Sequence, residues 1–345
     1  MRVQRNAGRI RVAIDFTNTL VVGISASALF DLSEADEVFR KQGIHAYREY
    51  MLEREREPLA PGTGYALVKA LLALNTKPRE LQGPATEVVV MSRNSPETGV
   101  RIMNAVEQHD LPISRFAFTG GEALAGYVPA FRLDLFLSTN ESDVQRVADA
   151  DACASALLYP LPEDYEPAHD HVRVAFDADA VLFDEASESV YQSGGLGAFH
   201  AAEHDARDTP MEDGPFADFL RKLARLKESL PGGVEYSPVR IAVVTARNAP
   251  AQARVITTLR AWGVYVDSAF FMGGLPKNEV LRVLRPHIFF DDQHVHVLPA
   301  SGVAPSGRVP YRSSSPLFDG EREQIAEDAL LVTRSPADVA VPGDA

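Results

Sequence analysis

Residues 173–183 read Arg-Val-Ala-Phe-Asp-Ala-Asp-Ala-Val-Leu-Phe. An apolar, β-forming run ends in two carboxylates one residue apart, Asp177 and Asp179, and a second short apolar run follows. Side chains alternate along a strand, so two acids flanking one residue just past a strand end can both reach one site. The same pair, alone, also suits a solvated turn. The ends of the other strands decide between the two.

Apolar runs that read as strands recur at 19–24, 87–91, 116–118, 133–137, 241–245, 265–271 and 287–290. Between them lie segments of helical period at 33–57, 65–74, 98–109, 141–158, 185–191, 216–230, 251–262 and 278–284. The charged 33–57 stretch reads as a solvated helix face. Gly263 is a natural stop for the helix before it. Strands alternating with helices imply an α/β protein with a parallel sheet covered on both faces. The expected organisation is an N-terminal arm at 1–18, a first Rossmann-like half at 19–158 and a Pro- and acid-rich linker at 159–171. A second half at 172–312 follows, in which 185–238 is polar and helical. The tail at 313–345 is Ser-, Pro- and acid-rich and reads as mostly disordered, with a short helix near 321–331.

The chain has 345 residues, 46% of them hydrophobic and 24% charged, as expected for a globular protein of two domain-sized units. A net charge of −14 argues against nucleic acid and anionic membranes as partners, though a bound metal can invert the field of a single site. One cysteine, Cys153, excludes an intrachain disulfide and suits a reducing compartment. No apolar stretch reaches the roughly 18 residues of a membrane span, and the basic start at 1–9 lacks the pattern of a signal peptide. A cytoplasmic setting is the expectation, and association into a homo-oligomer is compatible with it.

The second half supplies, in chain order, what phosphoryl transfer through an enzyme carboxylate needs. Asp177 is the candidate nucleophile. Asp179 is the candidate general acid, later the base that activates water. Thr245 ends one strand and can donate its hydroxyl to a phosphate oxygen. Lys277, after Gly273-Gly274-Leu275-Pro276, can neutralise the phosphoryl group. Asp291 and Asp292 follow an apolar strand and, with Asp177 and Asp179, make up a candidate Mg²⁺ set. Each also has a plainer reading: a helix cap for Thr245, a surface lysine for Lys277, a turn for the Asp pair. All of them in order, each after the right element, favour the catalytic reading. Ligands of open α/β sheets sit at strand carboxyl ends, where all of these residues are placed.

This order of motifs resembles the haloacid dehalogenase superfamily of phosphohydrolases. Within it the chain resembles the cytosolic 5′-nucleotidase I family over about residues 19–312. The resemblance is carried by Ser27-Ala28-Leu29-Phe30-Asp31-Leu32, Phe118-Thr119-Gly120-Gly121, the 173–183 run, Thr245-Ala246-Arg247, Leu259-Arg260-Ala261-Trp262-Gly263 and 285–293, Arg-Pro-His-Ile-Phe-Phe-Asp-Asp-Gln. It implies a Rossmann-like catalytic domain with a small cap inserted at 185–238 and Mg²⁺-dependent hydrolysis of nucleoside 5′-monophosphates, AMP-like ones above all. Ala246, Arg247, Arg93, Asn94 and Phe199 are the substrate-contact candidates. Two departures stand out: Ala178, where glycine is expected, and Ser25-Ala26-Ser27, where an arginine is expected before Ala-Leu-Phe. The same parts also serve a phosphatase of another small phosphomonoester. A reading of a different class is a nucleotide-binding regulator with little turnover.

The first half reads as a degenerate copy of the second. Ser25-Ala26-Ser27 stands for Asp177-Ala178-Asp179, Met91 for Thr245, Leu124 for Lys277, and Ser138-Thr139 for Asp291-Asp292. No nucleophile and no metal site assemble from such residues. Among the remaining residues, Phe199, His200 and Phe216 fit a cap core as well as a base contact. The His169/His171 and His294/His296 pairs lack a further zinc ligand, and Cys153 reads as a small helix residue.

Overall fold

In a computed structural model, residues 16–79, 81–162 and 165–333 are described. Ten strands form one sheet: β1 (Leu20–Ser25), β2 (Thr86–Ser92), β3 (Arg115–Phe118), β4 (Leu135–Ser138), β5 (Ala154–Leu158), β6 (Val172–Phe176), β7 (Val239–Thr245), β8 (Ser268–Phe271), β9 (Ile288–Asp291) and β10 (Ser306–Arg308). Their spatial order is β3-β2-β1-β4-β5-β10-β9-β6-β7-β8. All neighbours are parallel except β5 and β10, which meet antiparallel where Gly307 faces Leu158. Read outward from that seam, the two halves present their strands in one and the same order.

β1, β4, β7 and β9 are apolar and buried, as strands covered on both faces must be. Helix Tyr65–Ala73 packs on β2 and reaches β6 of the other half; helix Ala217–Ser229 packs on β7 and reaches β1. One apolar cluster therefore runs through both halves, from Val22 and Ile24 to Phe176 and Phe290. At the margin of this core, Lys222 Nζ donates to both carboxylate oxygens of Asp134, at 2.9 and 2.8 Å.

Both halves also carry a long helix broken at a glycine. Ser33–Glu53 breaks at Gly43 (φ 84°, ψ −175°) and Ala186–Asp205 at Gly195 (φ 71°, ψ −175°). Gly43 lies as far beyond Ser25 as Gly195 lies beyond Asp177.

The structure departs from the sequence reading in four places. The helix expected over 141–158 is helix Glu141–Asp149, a turn with Asp151 at φ 49°, and strand β5. Ala-Ser-Ala-Leu-Leu favours a helix locally, but the slot between β4 and β10 recruits it into the sheet. Cys153 accordingly sits half-buried before a strand and not in a helix. Helix His294–Ser301 and strand β10 have no counterpart in the sequence reading. In the stretch expected to be mostly disordered apart from a short helix near 321–331, the helix is longer, Phe318–Thr333, and 313–321 is tied down by Ser313 on Asp149, Ser315 on Glu185 and Glu321 on the backbone N–H of His294. Residues 1–15 of the expected arm at 1–18 and residues 334–345 of the tail lie outside the described residues.

Candidate active site

β6 ends at Phe176, and the next backbone N–H, that of Asp177, donates to Phe290 O of β9 at 2.7 Å. This fixes Asp177 beside Asp291 at the carboxyl ends of adjacent strands. Beyond it, Ala180 adopts φ 54° and bends the chain away, a conformation tolerated where the side chain is small.

The loop after β8 brings in the cation. Met272 N donates to Thr245 O at 2.8 Å, Gly273 N to Arg247 O at 3.3 Å and Gly274 N to Ala246 O at 3.2 Å. Both glycines have positive φ, 59° and 84°, which a side chain would resist. The loop is thus pinned against the end of β7 and delivers Lys277 into the site. Lys277 Nζ lies 2.8 Å from Asp177 Oδ2 and 2.6 Å from Asp291 Oδ2, with all three residues buried. Burial alone would lower the lysine's proton affinity, but the two carboxylates outweigh it and keep the ammonium charged.

The three acids divide sharply. Burial raises Asp177 to about 6, with Lys277 opposing and Asp291 adding to the rise. Burial also works against Asp291, yet Lys277 and His296 hold it down at about 2. Asp292 is pushed well above the ordinary carboxylate range by burial and by its two acidic neighbours. Tyr311 donates a short hydrogen bond to Asp292 Oδ2.

Two buried oxygens, Asp177 Oδ1 and Asp292 Oδ1, have no hydrogen-bond partner. Orphaned buried carboxylate oxygens are costly unless a cation or water meets them. By simple proximity, Asp177, Asp291 and His296 can each offer a ligand atom within 4.8 Å of the others. The two indications differ over Asp291 and Asp292. Asp291 already gives Oδ2 to Lys277 and Oδ1 to the backbone N–H of Gln293 at 3.0 Å. Asp292 has the oxygen to spare, and its orphan is the stronger sign.

The other sequence candidates are placed as follows. Thr245 is buried, and its Oγ1 accepts from Arg247 N at 3.3 Å. Asp179 is not among the clustered metal-ligand atoms. It is gripped by Arg247, with Nε to Oδ2 at 2.7 Å and Nη2 to Oδ1 at 2.5 Å. Arg247 is 3% exposed and cannot serve as a free substrate contact while so held. Its Nη1 also donates to Glu203 Oε2, and its Nη2 to Ser187 Oγ at 2.9 Å. Phe199 is buried with its ring 5.3 Å from that guanidinium, so it packs helix Ala186–Asp205 against Arg247 and is not open to a base. Ala246 is half-buried.

Arg93 and Asn94 are not brought to this site. They follow β2, separated from β6 by five strands, and the halves run in opposite directions across the β5–β10 seam. The loops after β2 and after β6 leave the sheet in opposite directions. Arg93 pairs with Asp143, and Asn94 donates to Tyr47 at 2.8 Å. Glu203, Ser187 and Tyr311 were not singled out by sequence reasoning, because no motif spacing links them to the acids they serve.

The fold and site define an α/β protein with a buried, lysine-bridged pair of carboxylates at the carboxyl ends of its strands. Residues 12–316 match the family described as 5′-nucleotidase, and the chain belongs to that family. It is 36% identical over 286 residues to human (Homo sapiens) cytosolic 5′-nucleotidase 1B, a match covering 81% of this chain and 47% of that protein. The chain thus spans about half the length of this curated relative. Among solved structures, a histidinol dehydrogenase from Elizabethkingia anophelis aligns over 91% of this chain and 78% of its own. At 10% identity and a TM-score of 0.23, that alignment carries no argument.

Proposed function

We propose that this chain hydrolyses nucleoside 5′-monophosphates, AMP-like ones above all, through an aspartyl-phosphate on Asp177. The observation that carries this reading is the buried Asp177–Lys277–Asp291 bridge beside two orphaned carboxylate oxygens. Family membership directs it toward a nucleotide. The human relative is named as a cytosolic protein, which supports a cytoplasmic setting, and no helix among the described residues is long and apolar enough to cross a membrane.

The donor set suits Mg²⁺, a hard cation that takes few carboxylates and completes its shell with water and phosphate oxygens. Asp177 and Asp292 would hold it through their orphaned oxygens, with Asp291 and His296 next to them. When bound, it supplies charge neutralisation between nucleophile and phosphate. Asp177 attacks phosphorus while Lys277 offsets the negative charge of both the nucleophile and the transferred group. Thr245 stands ready to donate its hydroxyl to a phosphate oxygen. Asp179 gives its proton to the departing 5′-oxygen, then removes one from the water that cleaves the aspartyl-phosphate.

The first half is a degenerate repeat of the second in this reading. Its support is the shared strand order, the paired helix breaks at Gly43 and Gly195, and the left-handed double glycines at 120–121 and 273–274. At the strand ends Ser27 meets Thr139 at 2.6 Å where the second half has carboxylates. The first half therefore braces the sheet and carries out no chemistry.

Phosphate release from a panel of nucleoside monophosphates and sugar phosphates, with Mg²⁺ or with chelator, tests the assignment. Chelator-sensitive release from AMP that Asp177→Asn abolishes is the expected outcome. Release that survives Asp177→Asn would refute the nucleophile. Preference for a sugar phosphate would replace the nucleotide with another phosphomonoester. Tight nucleotide binding without turnover would leave a regulator.

A further inference from the structure

The carboxyl group that the proposed mechanism uses as its acid is held on both oxygens by Arg247, the first of a chain of buried charges. Arg247 grips Asp179 with two nearly parallel hydrogen bonds, a geometry only the guanidinium fork provides. The other side of the fork meets Glu203, which is 2% exposed on helix Ala186–Asp205. Glu203 in turn accepts from Ser187 at 2.8 Å and from Arg254 at 2.9 Å. A carboxylate so deeply buried is costly and persists only with such partners. Asp179, Glu203, Arg247 and Arg254 alternate in charge and tie the cap helix to the strand loops.

The first half is an internal control. Counted from Ser25 and from Asp177, the position of Glu203 corresponds to Met51. Met51 is as deeply buried as Glu203 but apolar. Where Asp179 corresponds to Ser27, the counterpart of Arg247 is Arg93, which has turned to Asp143. The half without the acid also lacks the buried glutamate, and its arginine faces elsewhere. General packing needs of a cap helix do not account for that coincidence, since Met51 meets them without a charge.

We propose that Glu203 is a positioning residue for proton transfer: through Arg247 it fixes the place from which the carboxyl of Asp179 serves the leaving oxygen. The inference rests on the role given above to Asp179. In the step concerned, the bond from Asp177 to phosphorus forms and the bond from phosphorus to the 5′-oxygen breaks. The electron pair stays on that oxygen, which takes the proton carried by one oxygen of Asp179. The carboxylate left behind is the form that both arms of Arg247 grip in the structure, and Glu203 maintains the orientation of that fork. Removing the Glu203 charge frees the fork to tilt, and a misplacement of about 1 Å can cost on the order of a hundredfold in rate.

A leaving group that needs no proton separates this role from a structural one. Adenosine 5′-monophosphate is compared with its analogue carrying sulfur in the bridging 5′-position, which departs as a thiolate. The quantity read is kcat/KM, which reports the steps through formation of the aspartyl-phosphate. For Glu203→Gln, kcat/KM on AMP is expected to fall tenfold or more, and on the thio analogue less than threefold. Arg247→Lys keeps the charge but loses the fork, and is expected to show the same split, larger. Thermal melts check that each variant is folded, and either variant alone suffices for the comparison. Equal losses on both substrates, or no loss on AMP, would overturn the positioning role. A wild-type enzyme that releases phosphate from neither compound would instead overturn the phosphohydrolase reading itself.

Discussion

Asp177 and Asp292 each keep one carboxylate oxygen buried and without a hydrogen-bond donor, while the second oxygen of each is engaged, by Lys277 and by Tyr311. Three buried carboxyls share one ammonium, that of Lys277, so a further cation is needed for all three to ionise together. Millimolar Mg²⁺ is therefore expected to raise the melting temperature of the wild-type protein, since a ligand that binds only the folded state stabilises it by mass action. Asp292→Asn should abolish most of that rise together with the activity. Asp291→Asn should retain more of it, because Asp291 already gives its oxygens to Lys277 and Gln293. A Mg²⁺-dependent rise that survives Asp292→Asn unchanged would move the metal away from Asp292.

Lys277 stands between Asp177 and Asp291, at 2.8 and 2.6 Å, and all three are buried. Removing one partner of a buried charge cluster typically costs about 3–5 kcal/mol, because the others stay behind uncompensated. Lys277→Met is expected to fall in that range in metal-free urea denaturation at neutral pH, and to lose activity by at least about a hundredfold. The deficit should shrink as pH falls, because protonation of Asp177, already raised to about 6, removes the repulsion. Lys277→Met combined with Asp291→Asn should recover part of the stability and none of the activity. A deficit that does not depend on pH would point to lost packing and not to charge.

The placement of the candidate residues was legible in the sequence where a residue ends or directly follows a strand. Asp177, Thr245 and Asp291 are each reached by reading one apolar run to its end, and the strand direction then places them together. Partners that arrive from elsewhere were not legible. Glu203 comes from the last turn of helix Ala186–Asp205, and Tyr311 from an irregular stretch after β10; no local pattern distinguishes them from ordinary surface residues. The fold shows the same division. β5 reads as a helix because Ala-Ser-Ala-Leu-Leu has helical propensity, and β10 is three residues, Ser-Gly-Arg, with no apolar signal. Both are strands because neighbouring strands offer edges, β4 and β10 to β5, and β9 and β5 to β10, and that information lies in the pairing. The antiparallel seam they form also turns Arg93 and Asn94 away from the site, which a match of motifs between halves could not foresee.

His287 carries a separate pH signature. It is buried, and its Nδ1 accepts from Arg173 N at 3.1 Å, which requires that nitrogen to be unprotonated. Burial, with Arg173 and His169 nearby, lowers it from 6.5 to about 4. Between those values the unfolded chain binds a proton that the folded chain does not, so stability rises with pH across the window and is lost as pH falls through it. At about 1.4 kcal/mol per unit, this contribution approaches about 3 kcal/mol at pH 4. His287→Asn keeps an acceptor for Arg173 N and removes the titration. Its stability is expected to change less than that of wild type between pH 7 and pH 4, measured by urea denaturation. Parallel curves for the two proteins would remove His287 as the cause.

Asp134 and Lys222 join the halves on the flank of the sheet. The Asp134 carboxylate accepts from Lys222 Nζ at 2.8 and 2.9 Å and from Val21 N at 2.7 Å, so one group ties the start of β1 to helix Ala217–Ser229. The pair is partly buried, and its value lies between that of a surface pair and a buried one, about 1–3 kcal/mol. Lys222→Met leaves the carboxylate with a single backbone donor and should cost the whole of that amount. Asp134→Asn keeps an acceptor for Val21 and should cost less. Neither residue touches the site acids, so kcat on the nucleotide is expected to stay within about twofold, as for substitutions away from the reacting groups. Because helices 65–73 and 217–229 each pack on a strand of the opposite half, both variants should still unfold in one transition, shifted to lower urea. A second transition in Lys222→Met would mean that the halves are separate folding units, and that the shared core from Val22 to Phe290 does not couple them.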